Sequence, residues 1–355
     1  MTLHGSSPDI VRSAVERGDA LPGTNGFAGQ VEDYLVRDVL GRYPLFVDDE
    51  GWAFDPADLD DPSSFPAGHI RTDDGFERWC DLPDPSLADP DEGVAAVRSA
   101  LERSFATVDT EGLAVAFSGG VDSALVAAAL DVPLYVAGFP DSHDVEAARS
   151  GSELLDKELT VVEVTHDDIE RAVPEIVDAT GRTNAMDVQI ALALYLVGER
   201  VASDGFDRLA VGQGADELFG GYAKVAKAPD DPRTEADTVR GATREVIETL
   251  PDQLERDVLT LRAAGVEPVA PLLHDAVVEA ALGLPGELLV DGETRKVALR
   301  EADWRWLPEE LATREKKAVQ YGSLVSRELD RLARQAGFKR RMDDHVTQFV
   351  ESLVE

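Results

Sequence analysis

Between positions 114 and 130 the chain reads AVAFSGGVDSALVAAAL. An apolar run stops at a hydroxyl and two glycines, a carboxylate and a second hydroxyl follow, and an alanine-rich stretch with helical spacing closes the segment. Gly119 and Gly120 let the backbone approach an anion closely and take dihedrals that other residues avoid. Ser118 and Ser123 add hydroxyl donors. A helix starting near Asp122 aims its N-terminal amides and the positive end of its dipole into the same loop. Such a turn cradles a pyrophosphate group. Asp122 would repel a phosphate placed directly against it, but it fits if Mg2+ lies between, because Mg2+ takes one or two carboxylates together with phosphate oxygens. A second stretch, VGQGADELFGGY at 211–222, puts Gly212 and Gly214 in a tight loop ahead of Asp216 and Glu217, a carboxylate pair suited to the same metal and expected to face the first loop.

The elements that must hold these groups follow from hydrophobic periodicity. Short apolar runs at 113–117, 132–139, 159–164 and 209–211 read as strands, and helical spacing fills 124–130, 145–155 and 187–202 between them. Strand and helix in alternation predict an α/β fold, a parallel sheet with helices on both faces. Ligands on such sheets sit at the carboxyl ends of strands, so Ser118 and Gly212, each just past a strand, are expected to be neighbours. Helix-like spacing over 240–262, 275–283 and 325–336 predicts a mostly helical C-terminal part. The first 90 residues read as loop-rich, with one short strand at 43–47, and the prolines of 82–90 mark a linker. Three segments result: 1–91, 92–230 and 231–355.

Bulk properties narrow the class. No stretch of the 355 residues approaches the roughly 20 apolar residues of a membrane span, and the N-terminus lacks the pattern of a signal peptide, so a cytoplasmic protein is expected. Cys80 is the only cysteine, which excludes an internal disulfide and a thiolate zinc site; with no His beside it, buried packing is its expected role. Asp and Glu number 70 against 34 Lys and Arg, a net charge of −36 spread along the whole chain. Self-repulsion of this size is screened only at high salt, where at roughly 1 M the Debye length is about 3 Å. A halophilic source is expected, and an unfolding temperature indifferent to molar KCl would contradict it. The same acidity disfavours a nucleic-acid partner, since Lys339-Arg340-Arg341 is the nearest thing to a basic stripe.

The loop at 118–123 lacks the Gly-Lys-Ser/Thr of a Walker loop and the Gly-x-Gly-x-x-Gly of a Rossmann turn. Ser-Gly-Gly-x-Asp-Ser resembles instead the PP-loop of ATP pyrophosphatases, which cut ATP between the α and β phosphates. The segment at 211–222 resembles the synthetase-domain signature of the asparagine synthetases and the related β-lactam synthetases. Further runs fit the same family: 265–273 (GVEPVAPLL), 294–301 (TRKVALRE), 307–310, and 314–317 followed by Tyr321-Gly322. The likeness covers about residues 93–330. It implies that ATP binds through Ser118, Gly119, Gly120, Val121, Asp122, Ser123 and Gly212, with adenine and ribose near Gly138 and Phe139, and that Asp122 and Asp216 bind Mg2+. Lys occurs only at positions 157, 224, 227, 296, 316, 317 and 339. Against that scarcity Lys316 and Lys317 stand out, and Lys316 aligns with the family's catalytic lysine, where a cation stabilises charge on the α-phosphate as pyrophosphate leaves.

The departures bear on substrate. Gln213 stands where the family usually carries an acid; an amide is no general base, though it can hydrogen-bond substrate or intermediate, and it is kept as a catalytic-site residue in that sense. Val269 replaces an expected Arg and His274 an expected Asp. Family members begin with a glutaminase domain whose nucleophile is an N-terminal cysteine; residue 2 here is Thr. Segments 35–46 and 65–69 resemble only the closing part of that domain, so residues 1–91 read as a degenerate glutaminase-like remnant. The resemblance thus implies a ligase that adenylates a small-molecule carboxylate, aspartate first among candidates, and amidates it. The nitrogen comes from ammonia, a separate glutaminase subunit or a substrate amine. A lactam or other amide synthetase, and a non-catalytic nucleotide-binding subunit, are the alternatives; a homo-oligomer is compatible with all three.

Overall fold

The first 91 residues are more regular than their Pro and Asp content predicts. The computed structural model describes residues 2–73, 75–228, 236–302, 306–314 and 322–354. Among the described residues its N-terminal segment holds eight short strands, β1 (Leu3–His4), β2 (Ala28–Val31), β3 (Tyr34–Arg37), β4 (Phe46–Val47), β5 (Trp52–Ala53), β6 (Ser63–Ser64), β7 (His69–Thr72) and β8 (Gly75–Arg78), one α-helix, α1 (Pro8–Arg17), and a 3-10 turn at Pro56–Asp58. The strands form an antiparallel sheet ordered β1-β2-β3-β7-β8 and a smaller one ordered β5-β4-β6. Strands of two to four residues are too short for an alternating pattern to register in sequence. Helix α1 has a local signature: Ser7 accepts from the amide of Ile10, Pro8 opens the first turn, and Gly18 ends it at φ 65°. Val11, Phe27, Val31 and Val36 make one small core, and Ala28, Leu35, Leu45, Val47 and Phe65 another. Residues 81–89 carry no regular element, as the prolines predict, and α2 (Pro90–Ala106) follows.

The α/β reading holds. Strands β9 (Leu113–Ala116), β10 (Leu134–Gly138), β11 (Leu159–Glu163), β12 (Arg208–Ala210) and β13 (Glu267–Val269) form a wholly parallel sheet ordered β11-β10-β9-β12-β13. The first four are the predicted strands to within about two residues. The fifth escapes the apolar pattern because Pro268 sits in its middle; on an edge strand a missing amide is tolerated. Between the strands run α3 (Val121–Ala129), α4 (His143–Leu154), α5 (His166–Thr180) and α6 (Ala185–Ser203). Helix α5 adds to the expected set: Pro174 lies inside it and obscures its pattern, although Thr165 and Asp168 form a capping box at its start. Leu113, Ala114 and Val115 of β9 are buried without alternation, as in a strand covered on both faces.

Two compact units share the chain discontinuously. One comprises residues 1–108, 212–255 and 270–305; the other comprises 109–211, 256–269 and 306–355 and holds the whole parallel sheet. The first unit contains the second signature, with α7 (Ala215–Leu218) and α8 (Ala223–Lys227). Downstream the expected helices appear. The stretch 240–262 is split at Thr249, ahead of Pro251, into α9 (Val239–Glu248) and α10 (Leu250–Ala263), and α11 (Asp275–Leu282) and a helix at Val325–Gln335 follow. Among the described residues no helix is long and apolar enough to cross a membrane.

Candidate nucleotide-binding site

The loop between β9 and α3 is closed by its own serines. The Ser118 amide donates to Ser123 Oγ at 3.2 Å, the two serine hydroxyls lie 3.2 Å apart, and Ser123 Oγ donates to the carbonyl of Gly120 at 3.2 Å. Ser123 is buried and Ser118 only partly so. The Ser123 hydroxyl, expected to face a ligand, is therefore engaged in shaping the loop. Gly119 has φ +72°, and a Cβ on it would overlap the carbonyl group of Ala147 in α4. Only glycine satisfies both conditions. Gly120 is the N-cap of α3 and has no side chain to cap its first amides. Val121 is buried and contributes backbone alone, and Asp122 stands in the first turn.

Arg314 braces the loop and Ser142 the neighbouring start of α4, and sequence reasoning assigns a role to neither. Arg314 donates from Nη1 to the carbonyls of Ala147 (3.0 Å) and Gly119 (3.4 Å), and from Nη2 to Ser150 Oγ (3.2 Å). Ser142 caps α4 through the Val145 amide, and a Cβ on Gly138 would lie 2.6 Å from its hydroxyl oxygen. The end of β10 is thereby pressed onto the start of α4. The Phe139 amide donates to the carbonyl of Ser323 at 3.3 Å, and the Phe139 ring lies 5.8 Å from that of His166. His166 Nε2 meets Glu328 Oε2 at 2.8 Å. Burial opposes ionisation of Glu328, but hydrogen bonds from His166, Arg327 and Arg331 prevail and hold its carboxyl below the usual range.

The second signature folds as a glycine turn into α7. Gly214 has φ +100°, and a Cβ on it would come within 2.8 Å of Leu273 Cδ2. The two acids part company here, which corrects the expectation of a presented pair. Glu217 is buried and turned inward: Oε2 accepts from the Gly214 amide at 3.0 Å and Oε1 from the Tyr222 hydroxyl at 2.6 Å. Burial, and then the nearby Asp216 charge, push its carboxyl above the ordinary value. The Asp216 side chain is 43% exposed and ion-paired with Lys296 Nζ at 2.7 Å. Lys296 is buried and holds φ +60°, a strained conformation for a non-glycine residue. A Cβ on Gly221 would overlap both Asp216 Oδ1 and Lys296 Cε, so the close pairing depends on that glycine. Lysine scarcity could have flagged Lys296 as it flagged Lys316.

The remaining candidates are placed as follows. Gly212 and Gln213 are partly buried in the turn before Gly214. Strands β9 and β12, which lead into the two signatures, are sheet neighbours with Val115 opposite Ala210. Lys316, Lys317 and Tyr321 lie outside the described residues. His274 is buried, caps α11 by accepting from the Ala276 amide at 3.0 Å, and is biased by burial toward its neutral form, which agrees with a structural role. Burial likewise pushes the Cys80 thiol up to about 12. Among the described residues no three His, Cys, Asp or Glu side chains cluster to cage a metal. A Mg2+ ion that takes most of its ligands from phosphate and water needs only one or two carboxylates; Asp122 stands in the first turn of α3, and Asp216 is half-exposed.

Comparison with known proteins agrees with the motifs. The asparagine synthase family profile matches residues 96–240 and 226–351. A Methanocaldococcus jannaschii protein provisionally named glutamine-hydrolysing asparagine synthetase 1 is 29% identical over 272 residues, covering 66% of this chain and 50% of its own length. Glutamine-hydrolysing asparagine synthetase B of Escherichia coli is 25% identical over 352 residues, covering 86% of this chain and 62% of its own. The chain thus spans between half and about three-fifths of these relatives. Among solved structures, the NMN synthetase of Francisella tularensis aligns at 12% identity over 75% of this chain and 93% of its own, with a TM-score of 0.34, too low to bear weight.

Proposed function

The chain belongs to the asparagine synthase family, and from that premise we propose that it is an ATP-dependent, AMP-forming amide ligase. The observation that carries the reading is the 118–123 loop. Its glycine backbone, its closed serine pair and the uncapped amides of α3 suit a pyrophosphate group, and Arg314 keeps it rigid against α4. Asp122 and Asp216 are the carboxylates proposed to bind Mg2+, which neutralises triphosphate charge when bound. Lys296 orients the Asp216 carboxylate, and Lys316 is proposed as the cation beside the α-phosphate.

In the proposed reaction a carboxylate oxygen attacks the α-phosphorus of ATP. The bond to the bridging αβ oxygen breaks, and pyrophosphate departs with that electron pair. The acyl-adenylate then takes ammonia at its carbonyl carbon; the amide forms, a proton leaves the nitrogen, and AMP is expelled. The chain's part is to hold carboxylate and α-phosphorus in line and keep water from the adenylate. Aspartate is the proposed acid. Ammonia, free or delivered by a separate glutaminase subunit, is the proposed nitrogen donor.

Gln213 favours one second reading, in which the acid is a different carboxylate or the nucleophile is an amine on the substrate itself. Mass spectrometry of products after incubation with ATP, Mg2+, ammonia and a panel of carboxylic acids decides. The proposal expects AMP, pyrophosphate and asparagine. AMP with another acid supports the second reading, and no AMP from any acid overturns both.

A further inference from the structure

Buried ion pairs between distant segments serve position better than stability, and the N-terminal segment contributes one. Arg42 lies buried between two buried carboxylates, with Nε 2.9 Å from Asp38 Oδ1 and Nη2 2.7 Å from Asp275 Oδ1. Its Nη1 donates to the carbonyl of Leu273 at 2.7 Å. Asp275 Oδ2 accepts from the amide and the hydroxyl of Thr24 at 2.7 and 3.0 Å, and the Asp275 amide donates back to the Thr24 carbonyl at 2.9 Å. Asp38 is fixed in turn by the amides of Phe27, Leu40 and Arg42. Burial works against the Arg42 charge, and Asp275 and Asp38 more than offset it.

What this lock holds is the turn at 271–275, and that turn backs the acidic signature. Leu273 is buried and packs where Gly214 has no side chain, and the Gly214 amide is the one that Glu217 holds. A continuous path therefore runs from Thr24, Asp38 and Arg42 through Leu273 to Gly214 and the start of α7, all within one compact unit.

We propose that Arg42 is a positioning residue: through Leu273 and Gly214 it fixes the 212–217 turn that carries Asp216, so that the N-terminal segment serves as a clamp on the ligand-binding signature. The clamp stands on geometry alone. Its consequence for nucleotide binding rests on the reading of Asp216 given above.

The test is amide hydrogen exchange on Arg42→Met without nucleotide, followed by titration with Mg2+ and an ATP analogue whose α–β bridge cannot be cleaved. Exchange over 212–217 is expected to quicken about tenfold while the β9–β12 strands stay as in the parent. Affinity for the Mg2+-bound analogue is expected to fall about tenfold. Arg42→Lys, which keeps the charge and loses the fork, should fall between. Unchanged exchange at 212–217, or exchange quickened equally everywhere, overturns the proposal. Should Arg42→Met fail to fold, the triple variant Asp38→Asn, Arg42→Met, Asp275→Asn replaces it, since it leaves no buried charge uncompensated. Faster exchange confined to 212–217 is again expected, and unchanged or uniformly faster exchange again overturns the proposal. Altered exchange in a variant whose parent binds no analogue would sustain the clamp and overturn the nucleotide reading.

Discussion

The serine-glycine loop at 118–123 and the acidic turn at 212–222 are both glycine turns leading into helices, yet they are held by different means. The first is fixed by its own backbone and hydroxyls and by one arginine on its carbonyls. The second is fixed by side chains from far along the chain: Leu273 against Gly214, Lys296 against Asp216, and Glu217 folded back on its own turn. A turn that fixes itself can be read from a short motif. A turn fixed by others shows its glycines and acids in sequence but hides which acid is presented and which is structural.

Gly119→Ala breaks the comparison hardest. A left-handed backbone and an overlap with the α4 carbonyl combine to an expected loss of about 2–5 kcal/mol, seen as a lower thermal midpoint together with loss of AMP formation. Asp216→Asn comes next: if Asp216 binds metal as proposed, AMP formation should fall about 10²-fold. The thermal midpoint should also fall, since the buried Lys296 ammonium loses its paired charge. A large drop in midpoint with intact activity would make Asp216 the structural acid.

Glu217→Gln sharpens the contrast with the smallest effect. The raised carboxyl means that the folded protein binds this proton more tightly than the unfolded chain. Its part of the stability is therefore greatest below the unfolded value of about 4.3 and is lost as pH rises through the folded value. Glutamine mimics the protonated form and should flatten that decline. Denaturant midpoints of the two proteins should coincide at low pH, with the variant the more stable at high pH. Identical pH profiles would contradict the buried placement.

Much of the fold is legible in the sequence because short apolar strands alternate with helices of clear period. What escapes has a physical cause: β13 and α5 each contain a proline, and the N-terminal strands are too short to show alternation. At the site, Ser118 to Ser123, Gly138 and Gly214 announce themselves through glycine placement. Arg314, Lys296 and Arg42 do not, because Ala147, Asp216 and Leu273, the partners through which each acts on a turn, lie more than forty positions away. Glu217 misleads for a related reason: adjacent acids on a short helix need not share an environment.

The inaccessible thiol at position 80 has a practical corollary. With almost no thiolate at neutral pH, the native chain is expected to ignore alkylating reagents. Any cysteine introduced at the surface then becomes the sole labelling handle, so paired spectroscopic probes, one on each signature, could be installed without first stripping the protein of its own sulfur chemistry.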